Sequence, residues 1–170
     1  LLCVVKANGY GHGAIQIARS ISDIDNVQFA VFSFDEAIEL RDANIKNDIL
    51  IFSKLQPANI DSAYKNNLIL NISSHDDLRN AEHYLKKNKV SPRYHIKFDT
   101  GMTRLGFDLK DAKKVYNKIN GEMSSYIEGI YTHFATADEG ELSYAERQLK
   151  NFNKVIKQAD RFGLRFKYIH

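Results

Sequence analysis

The sequence has little cysteine or proline and no tryptophan: its 170 residues include one cysteine and two prolines. The one cysteine, Cys3, has no partner for an internal disulfide. Since it lies in the apolar run Leu1–Val5, we expect a buried and unreactive thiol. A chain without disulfides is typical of a reducing compartment, and no basic leader with a cleavage site opens it, so we expect a cytoplasmic protein.

Long hydrophobic runs and a large excess of one charge are also lacking. The apolar runs stay far below the ~20 residues that a membrane helix requires, so we expect no membrane partner. The 24 basic and 21 acidic residues give a net charge of +3 and are mixed along the chain. That mixture is typical of a solvated surface and excludes an extended nucleic-acid-binding face. With 44% apolar and 26% charged residues, the composition is that of an ordinary globular domain.

Short apolar runs alternate with longer helical patterns along the whole chain. Strands are predicted at Leu1–Val5, Phe29–Ser33, Asp48–Phe52, Leu68–Ile72, Tyr94–Phe98, Tyr126–Thr132 and Phe166–His170. Helices are predicted at Ala14–Ile21, Asp35–Asp42 with Asp35 as N-cap, Pro57–Asn66, Ser74–Lys87, Asp108–Ile119 and Leu142–Phe162. The last helix is the clearest, because one apolar stripe recurs at three- and four-residue steps: Leu142, Ala145, Leu149, Phe152, Ile156 and Ala159.

Alternation of strands and helices predicts an α/β protein with a parallel sheet. We favour a (β/α)8 TIM-type barrel over an open doubly wound sheet, because polar and glycine-rich residues follow the strand ends. Only seven of eight strands are predicted, and the chain begins and ends inside strands. We therefore expect residues 1–170 to be an incomplete barrel domain and the chain to be part of a longer protein.

The first candidate motif covers residues 4–13, Val-Val-Lys-Ala-Asn-Gly-Tyr-Gly-His-Gly. Lys6 directly follows a buried strand and opens a glycine-rich loop, at the strand end where barrel active sites form. Partial burial would favour the neutral amine, which can react with a carbonyl group. A strand-end lysine that simply reaches solvent is the alternative.

The second motif covers residues 97–107, Lys-Phe-Asp-Thr-Gly-Met-Thr-Arg-Leu-Gly-Phe. Lys97 and Asp99 lie on one side of a strand, and Arg104 lies in the loop that follows it. Because buried charges need partners, we expect either a salt-bridge network of these three side chains or an anion bound by Arg104.

The third motif, residues 131–138 (Tyr-Thr-His-Phe-Ala-Thr-Ala-Asp), places His133 at a strand end with acids nearby. A histidine satisfied in the core and a functional histidine both fit this pattern. His12, His133, Asp138 and His170 could reach one barrel mouth, but no metal-ligand spacing connects them, so we expect no metal and disfavour a metal-dependent hydrolase.

In series, these three segments resemble the alanine racemase family, whose enzymes use pyridoxal 5'-phosphate (PLP). The resemblance covers essentially the whole chain and implies that Lys6 would hold PLP covalently and act as a catalytic base. Tyr10 would contact the cofactor phosphate. Arg104 would lie beside the phenolic oxygen and position the substrate carboxylate. Lys97 matches a lysine that is often carbamylated in the family, and the carbamate would hold Arg104 in place.

The resemblance also implies roles for residues near the end of the chain. His133 would lie near the cofactor ring and support an arginine at the pyridine nitrogen, and Asp138 would line the substrate entry path. His170 would begin a further phosphate-binding motif. That motif, the eighth strand and a C-terminal β domain are absent from this chain. In the family, the β domain supplies the second base, a tyrosine, from the partner subunit of a homodimer.

By this resemblance the function is interconversion of L- and D-alanine, a small-molecule amino-acid substrate, to supply D-alanine for peptidoglycan. Two alternatives stay open: a serine-preferring racemase of the same family, and a PLP-binding barrel protein that buffers the cofactor without racemising. We expect this stretch alone to be inactive, because the second base and part of the phosphate site would be missing.

Overall fold

The computed structural model describes residues 1–170. The strands are β1 Leu2–Val4, β2 Gln28–Val31, β3 Ile49–Ile51, β4 Leu68–Ile72, β5 Arg93–Asp99, β6 Phe107–Asp108, β7 Ile127–Tyr131 and β8 Tyr168–Ile169. The α-helices between them are α1 Ala14–Ile21, α2 Phe34–Asp42, α3 Ile60–Lys65, α4 His75–Asn88, α5 Ala112–Ile119 and α6 Ser143–Asp160. Short 3-10 helices cover Pro57–Asn59, Leu109–Asp111 and Glu122–Tyr126.

All strand pairs are parallel, and the sheet order is β1-β2-β3-β4-β5-β7-β8, with β6 paired to the end of β5 outside this path. Neighbours in the sheet are thus neighbours in sequence, as in a (β/α)8 barrel. A doubly wound sheet would instead reverse its strand order. The incomplete barrel is therefore confirmed, with seven parallel strands in a curled sheet, and the doubly wound alternative is wrong.

Both faces of the sheet are covered. The outer face packs against the helices in a cluster of 34 buried residues, whereas Ala30, Leu50 and Ile69 pack on the inner face with Leu2 and Phe52 at their margin. Burial on both faces explains why the strands are continuous apolar runs without polar alternation. None of the helices is both long and apolar enough to cross a membrane.

The amino-terminal side of the sheet is tied together by two arginines. The Arg93 guanidinium lies 2.7 Å from Asp48 and 3.3 Å from Glu128. This one side chain of β5 therefore contacts the residue before β3 and a residue of β7. Arg41 donates hydrogen bonds to the backbone carbonyls of Ile45 and Asn47, and also to those of Asn66 and Asn67. These contacts hold the strand starts, and the polar loops discussed below lie at the opposite ends.

Two local predictions were wrong. Helix α2 is capped by Ser33 and not by Asp35, because the Ser33 hydroxyl accepts from the Glu36 N–H and the Glu36 carboxylate accepts from the Ser33 N–H. The predicted stripe of the last helix also needs correction, since Leu142 and Leu149 are 48% and 46% exposed. The buried face of α6 consists instead of Ala145, Gln148, Phe152, Val155 and Ala159.

Candidate active site

Lys6 stands at the start of a left-handed turn that leaves β1. Ala7, Asn8 and Tyr10 have φ values of 51°, 51° and 54°, and Gly9 lies between them at 63°. A β-carbon on Gly9 would lie 2.8 Å from Ile17, so helix α1 packs where only glycine fits. Left-handed backbone at residues other than glycine is strained and concentrates at functional sites. The glycine-rich sequence predicts positive φ at Gly9, as observed, but not at Ala7, Asn8 and Tyr10.

Glu36 holds the strained turn in place from the first turn of helix α2. Its carboxylate accepts from the Ala7 N–H at 2.6 Å and from the N–H groups of Phe32 and Ser33 at 2.8 and 2.9 Å. Burial alone would raise the pKa of Glu36, but these backbone donors outweigh it and lower the pKa. An ionised Glu36 therefore joins the loops that follow β1 and β2. Sequence reasoning assigned it no role at the site.

Tyr10, at the end of the turn, is exposed, and the Nζ of Lys6 lies 5.9 Å from its ring centroid. Lys6 itself is half-buried and makes no ion pair with a carboxylate. The turn therefore presents an amine and a phenol side by side at the carboxyl end of β1.

Lys97 is 5% exposed and makes no salt bridge, although two charged residues lie nearby. Burial lowers the pKa of Lys97 to about 8, with a further decrease from Arg104 that Asp99 partly offsets. Its Nζ lies 4.6 Å from the centroid of the Tyr131 ring. The structure thus buries an amine that is partly neutral near pH 8, without the salt-bridge network considered from the sequence.

Asp99 instead shapes the loop that carries Arg104. Its carboxylate accepts from the N–H groups of Gly101, Thr103 and Arg104 at 2.9, 3.0 and 2.9 Å. These bonds lower the pKa of Asp99 even though burial opposes the shift. The loop returns through Gly106, where a β-carbon would lie 2.6 Å from the Asp99 nitrogen. The Arg104 backbone is therefore fixed, while its side chain is exposed.

His133 connects the predicted residues electrostatically. Burial lowers its pKa, and the charges of Lys97, Arg104 and Lys6 lower it further. Four of the residues predicted from the sequence are thus close enough to influence one another. Asp138 is exposed and makes no ion pair or side-chain hydrogen bond, so the structure does not bring it into this group.

A histidine pair lines the inner side of the sheet and was missed as a pair by sequence reasoning. The Nδ1 atom of His95 lies 3.0 Å from the Nε2 atom of His170, and the His170 ring stacks on Tyr131 with centroids 4.9 Å apart. Burial lowers the pKa of His95 to about 3 and that of His170 to about 4. The Nε2 of His95 and the hydroxyl of Tyr131 are buried without a partner.

Taken together, the site is rich in unpaired cations and suits an anionic ligand. Lys6, Lys97 and Arg104 lie at the carboxyl ends of β1 and β5 without a carboxylate ion pair among them. No group of three or more histidine, cysteine or acidic side chains is arranged to hold a metal ion. The reactive groups that this arrangement offers are an amine, a guanidinium and an imidazole.

Comparison with known proteins gives consistent matches. The family model described as "Alanine racemase, N-terminal domain" matches residues 1–170. An alanine racemase of Lactobacillus delbrueckii subsp. bulgaricus is 41% identical over 157 residues, which cover 91% of this chain and 42% of that protein. One of Fusobacterium nucleatum is 35% identical over 173 residues, covering 100% of this chain and 46% of that protein. The chain therefore spans less than half the length of these relatives.

Solved structures give the same result. An alanine racemase of Clostridium difficile 630 in complex with cycloserine superposes with a TM-score of 0.91 at 29% identity, over 99% of this chain and 47% of that one. One of Bacillus anthracis with bound L-Ala-P gives a TM-score of 0.86 at 33% identity, over 99% and 44% of the two chains. These matches show that the chain has the fold of the corresponding part of these enzymes.

Proposed function

Because this chain belongs to the family of alanine racemase N-terminal domains, we propose that the protein containing it interconverts L- and D-alanine. We propose that the protein does so with PLP, as a homodimer in the cytoplasm, and supplies D-alanine for peptidoglycan. The observation that carries the proposal is the placement of Lys6, a half-buried amine without an acidic partner, at the carboxyl end of β1 beside other cations.

The donor set fits PLP, which carries a phosphate, a phenolic oxygen and an aldehyde. The lysine amine is the group that an aldehyde requires, and Arg104 adds positive charge for an oxygen anion. Tyr10 lies next to Lys6 and offers a phenol hydrogen for a phosphate oxygen. When bound, PLP withdraws electron density from the amino acid Cα and so acidifies its C–H bond.

Inversion at Cα needs a proton acceptor on one face and a proton donor on the other. Following the family resemblance, we assign Lys6 to the face from which D-alanine loses its proton, where its free amine would accept that proton. A tyrosine of the partner subunit, implied by the family resemblance, would serve the opposite face. Lys6 is held for this step by the strained turn, which Glu36 fixes through the Ala7 N–H.

Arg104 and Lys97 would position the substrate. We assign Arg104 to the substrate carboxylate and the cofactor's phenolic oxygen, because its loop is fixed by Asp99 while the guanidinium stays exposed. Lys97 is buried and its pKa of about 8 leaves an amine that can react with carbon dioxide. The resulting carbamate would replace a repelling cation with an anion that holds Arg104.

His133 and Asp138 complete the assignment. His133 would lie near the cofactor ring with a neutral imidazole, because burial lowers its pKa and the charge of Arg104 adds to the shift. Asp138 is exposed, and we assign it to the entry path of the substrate and not to the reacting centre.

The direct test is racemisation by the full-length protein, followed by circular dichroism or a chiral assay. We expect interconversion of L- and D-alanine, faster than that of serine, and a loss of at least ~10³-fold in Lys6→Ala. The matched control is Lys54→Ala, since Lys54 is also a loop lysine but is exposed. A protein that holds PLP but leaves both alanine enantiomers unchanged would be the cofactor-buffering alternative.

A further inference from the structure

One side chain of helix α6, Gln148, hydrogen-bonds to both loops of the candidate site. It is 1% exposed. Its Oε1 accepts from the Ala135 N–H at 2.9 Å, and its Nε2 donates to the His133 carbonyl at 3.1 Å and to the Thr100 hydroxyl at 3.2 Å. The Gln148 amide therefore makes three hydrogen bonds within the protein. One ends on the predicted site residue His133, and the other two end within four positions of His133 or Arg104.

These contacts fix the orientation of the amide. A backbone N–H can only donate and a carbonyl can only accept, so Ala135 defines the oxygen of Gln148 and His133 defines its nitrogen. Since the amide donates to the Thr100 hydroxyl, that hydroxyl is free to donate to Thr132, whose Oγ1 lies 2.8 Å away. The carboxyl ends of β5 and β7 are thereby joined by a directed chain of bonds.

Each end of this series of hydrogen bonds lies close to a residue of the candidate site. Thr100 directly follows Asp99, whose carboxylate fixes the backbone of Arg104. On the same helix, the Tyr144 hydroxyl donates to the Gly101 carbonyl at 2.7 Å. On the other side, Gln148 binds the backbone at His133 and at the residue two positions later, so it spans that segment as a neighbouring strand would.

We propose that Gln148 is a positioning residue that holds His133 and the Arg104 loop at a fixed separation, so that both face one bound substrate. The proposal rests on the proposed function for its kinetic consequences, whereas the bonds themselves can be tested without activity. It assigns to α6 a role that the apolar stripe of that helix does not indicate.

The kinetic test compares two variants in the full-length protein. Gln148→Met keeps the volume but removes all three bonds. We expect it to raise KM for alanine at least ~10-fold while kcat changes less than ~3-fold and the absorbance of the Lys6-bound cofactor is unchanged. The control is Gln158→Met on the same helix, because Gln158 makes no side-chain hydrogen bond.

Gln148→Glu tests the hydrogen bonds separately from packing, because only the loss of hydrogen bonds would make its KM depend on pH. Its carboxylate keeps the bond from the Ala135 N–H but repels the His133 carbonyl, and protonation restores a donor. The rise in KM relative to the parent protein should therefore shrink as the pH is lowered from 9 to 6. The corresponding ratio for Gln148→Met should stay constant with pH. Equal KM values for Gln148→Met and the parent protein would overturn the proposal.

Amide hydrogen exchange on the parent protein covers the case in which these variants do not fold. Ala135 is exposed, so its amide should exchange slowly only if Gln148 binds it, whereas the neighbouring amides of Phe134 and Thr136 have no such bond. We expect the Ala135 amide to exchange at least ~10-fold more slowly than these two. Equal exchange at the three positions would contradict the proposal even if the protein racemises alanine. Protection of Ala135 in a protein without racemase activity would refute the proposed function alone.

Discussion

The Nδ1 atom of His95 lies 3.0 Å from the Nε2 atom of His170, on the inner side of the sheet and across strand β7. The opposing residue on β7 is Gly129, where a β-carbon would lie 2.7 Å from the His95 ring. The space that this glycine leaves open allows His95 to reach the end of β8. One imidazole must then donate to the other, and burial favours the neutral form of both rings.

The histidine pair predicts a specific acid sensitivity. The pKa of His95 falls to about 3, chiefly through burial, with His170 adding to the shift, from an ordinary value of 6.5. Because the folded pKa is depressed, stability present above pH 6.5 is lost as the pH falls toward 3. Between pH 6.5 and pH 5, we expect His95 to lower the free energy of unfolding by roughly 2 kcal/mol. The measurement is the free energy of unfolding against pH.

The matched comparison for this prediction uses a second histidine. His95→Gln should flatten the decline between pH 6.5 and 4, whereas His83→Gln should leave it unchanged, since His83 is exposed on helix α4. An identical decline in all three proteins would show that other groups cause the acid sensitivity.

Lys97 predicts a pH dependence of the same sign as that of His95, but in an alkaline range. Burial lowers its pKa to about 8, so the folded protein binds fewer protons than the unfolded chain between pH 8 and about 10.5. In buffer free of carbon dioxide, Lys97→Met should therefore be more stable than the parent protein at pH 7, by on the order of 2 kcal/mol. The advantage should vanish near pH 10.5. A less stable Lys97→Met at pH 7 would contradict the assignment of an unpaired buried amine.

The backbone at Gly106 predicts that alanine at this position destabilises the Arg104 loop. Its φ of 131° and the 2.6 Å approach of an added β-carbon to the Asp99 nitrogen leave no room for alanine. We expect Gly106→Ala to lower the free energy of unfolding by about 2 to 4 kcal/mol. Gly140→Ala, where a β-carbon meets nothing within 4 Å, should change it by less than about 0.5 kcal/mol. Chemical denaturation of the two variants measures both values, and similar losses would argue against a packed loop.

The contacts of Glu36 predict that the strained turn depends on helix α2. Glu36→Ala leaves the N–H groups of Ala7 and Ser33 without the carboxylate that accepts their hydrogen bonds. We therefore expect the free energy of unfolding to fall by about 1 to 3 kcal/mol and Lys6 to react more slowly with PLP. Glu39→Ala is the control, because Glu39 is exposed on the same helix and makes no side-chain hydrogen bond. Stopped-flow absorbance would measure the rate at which PLP reacts with Lys6. Equal rates in Glu36→Ala and Glu39→Ala would contradict this role of Glu36.

Much of the architecture was predictable, because strands that are buried on both faces of a sheet consist of continuous apolar runs. The runs at β3 and β4 contain only apolar residues apart from Asn71, and each of the predicted strands is present in the sheet. Strand β6 was missed because it is two residues long and pairs only with the end of β5.

The finer features of the site were less predictable. The left-handed turn at Ala7 and Tyr10 has no signal in those residue types, because its conformation is set by the bond to Glu36. The loop of Arg104 depends on a carboxylate that accepts from backbone groups, which residue spacing does not show. Gln148 was recoverable, since it completes a regular buried series with Ala145 and Phe152, but only apolar residues were assigned to the stripe.

The most direct test of the central claim is reduction of the PLP-loaded full-length protein with borohydride, followed by peptide mapping. Reduction fixes the cofactor to the amine that holds it, and mass spectrometry then identifies that residue. We predict phosphopyridoxyl modification on Lys6 and none on Lys97 or Lys54. Modification of another lysine, or no modification at all, would contradict the account.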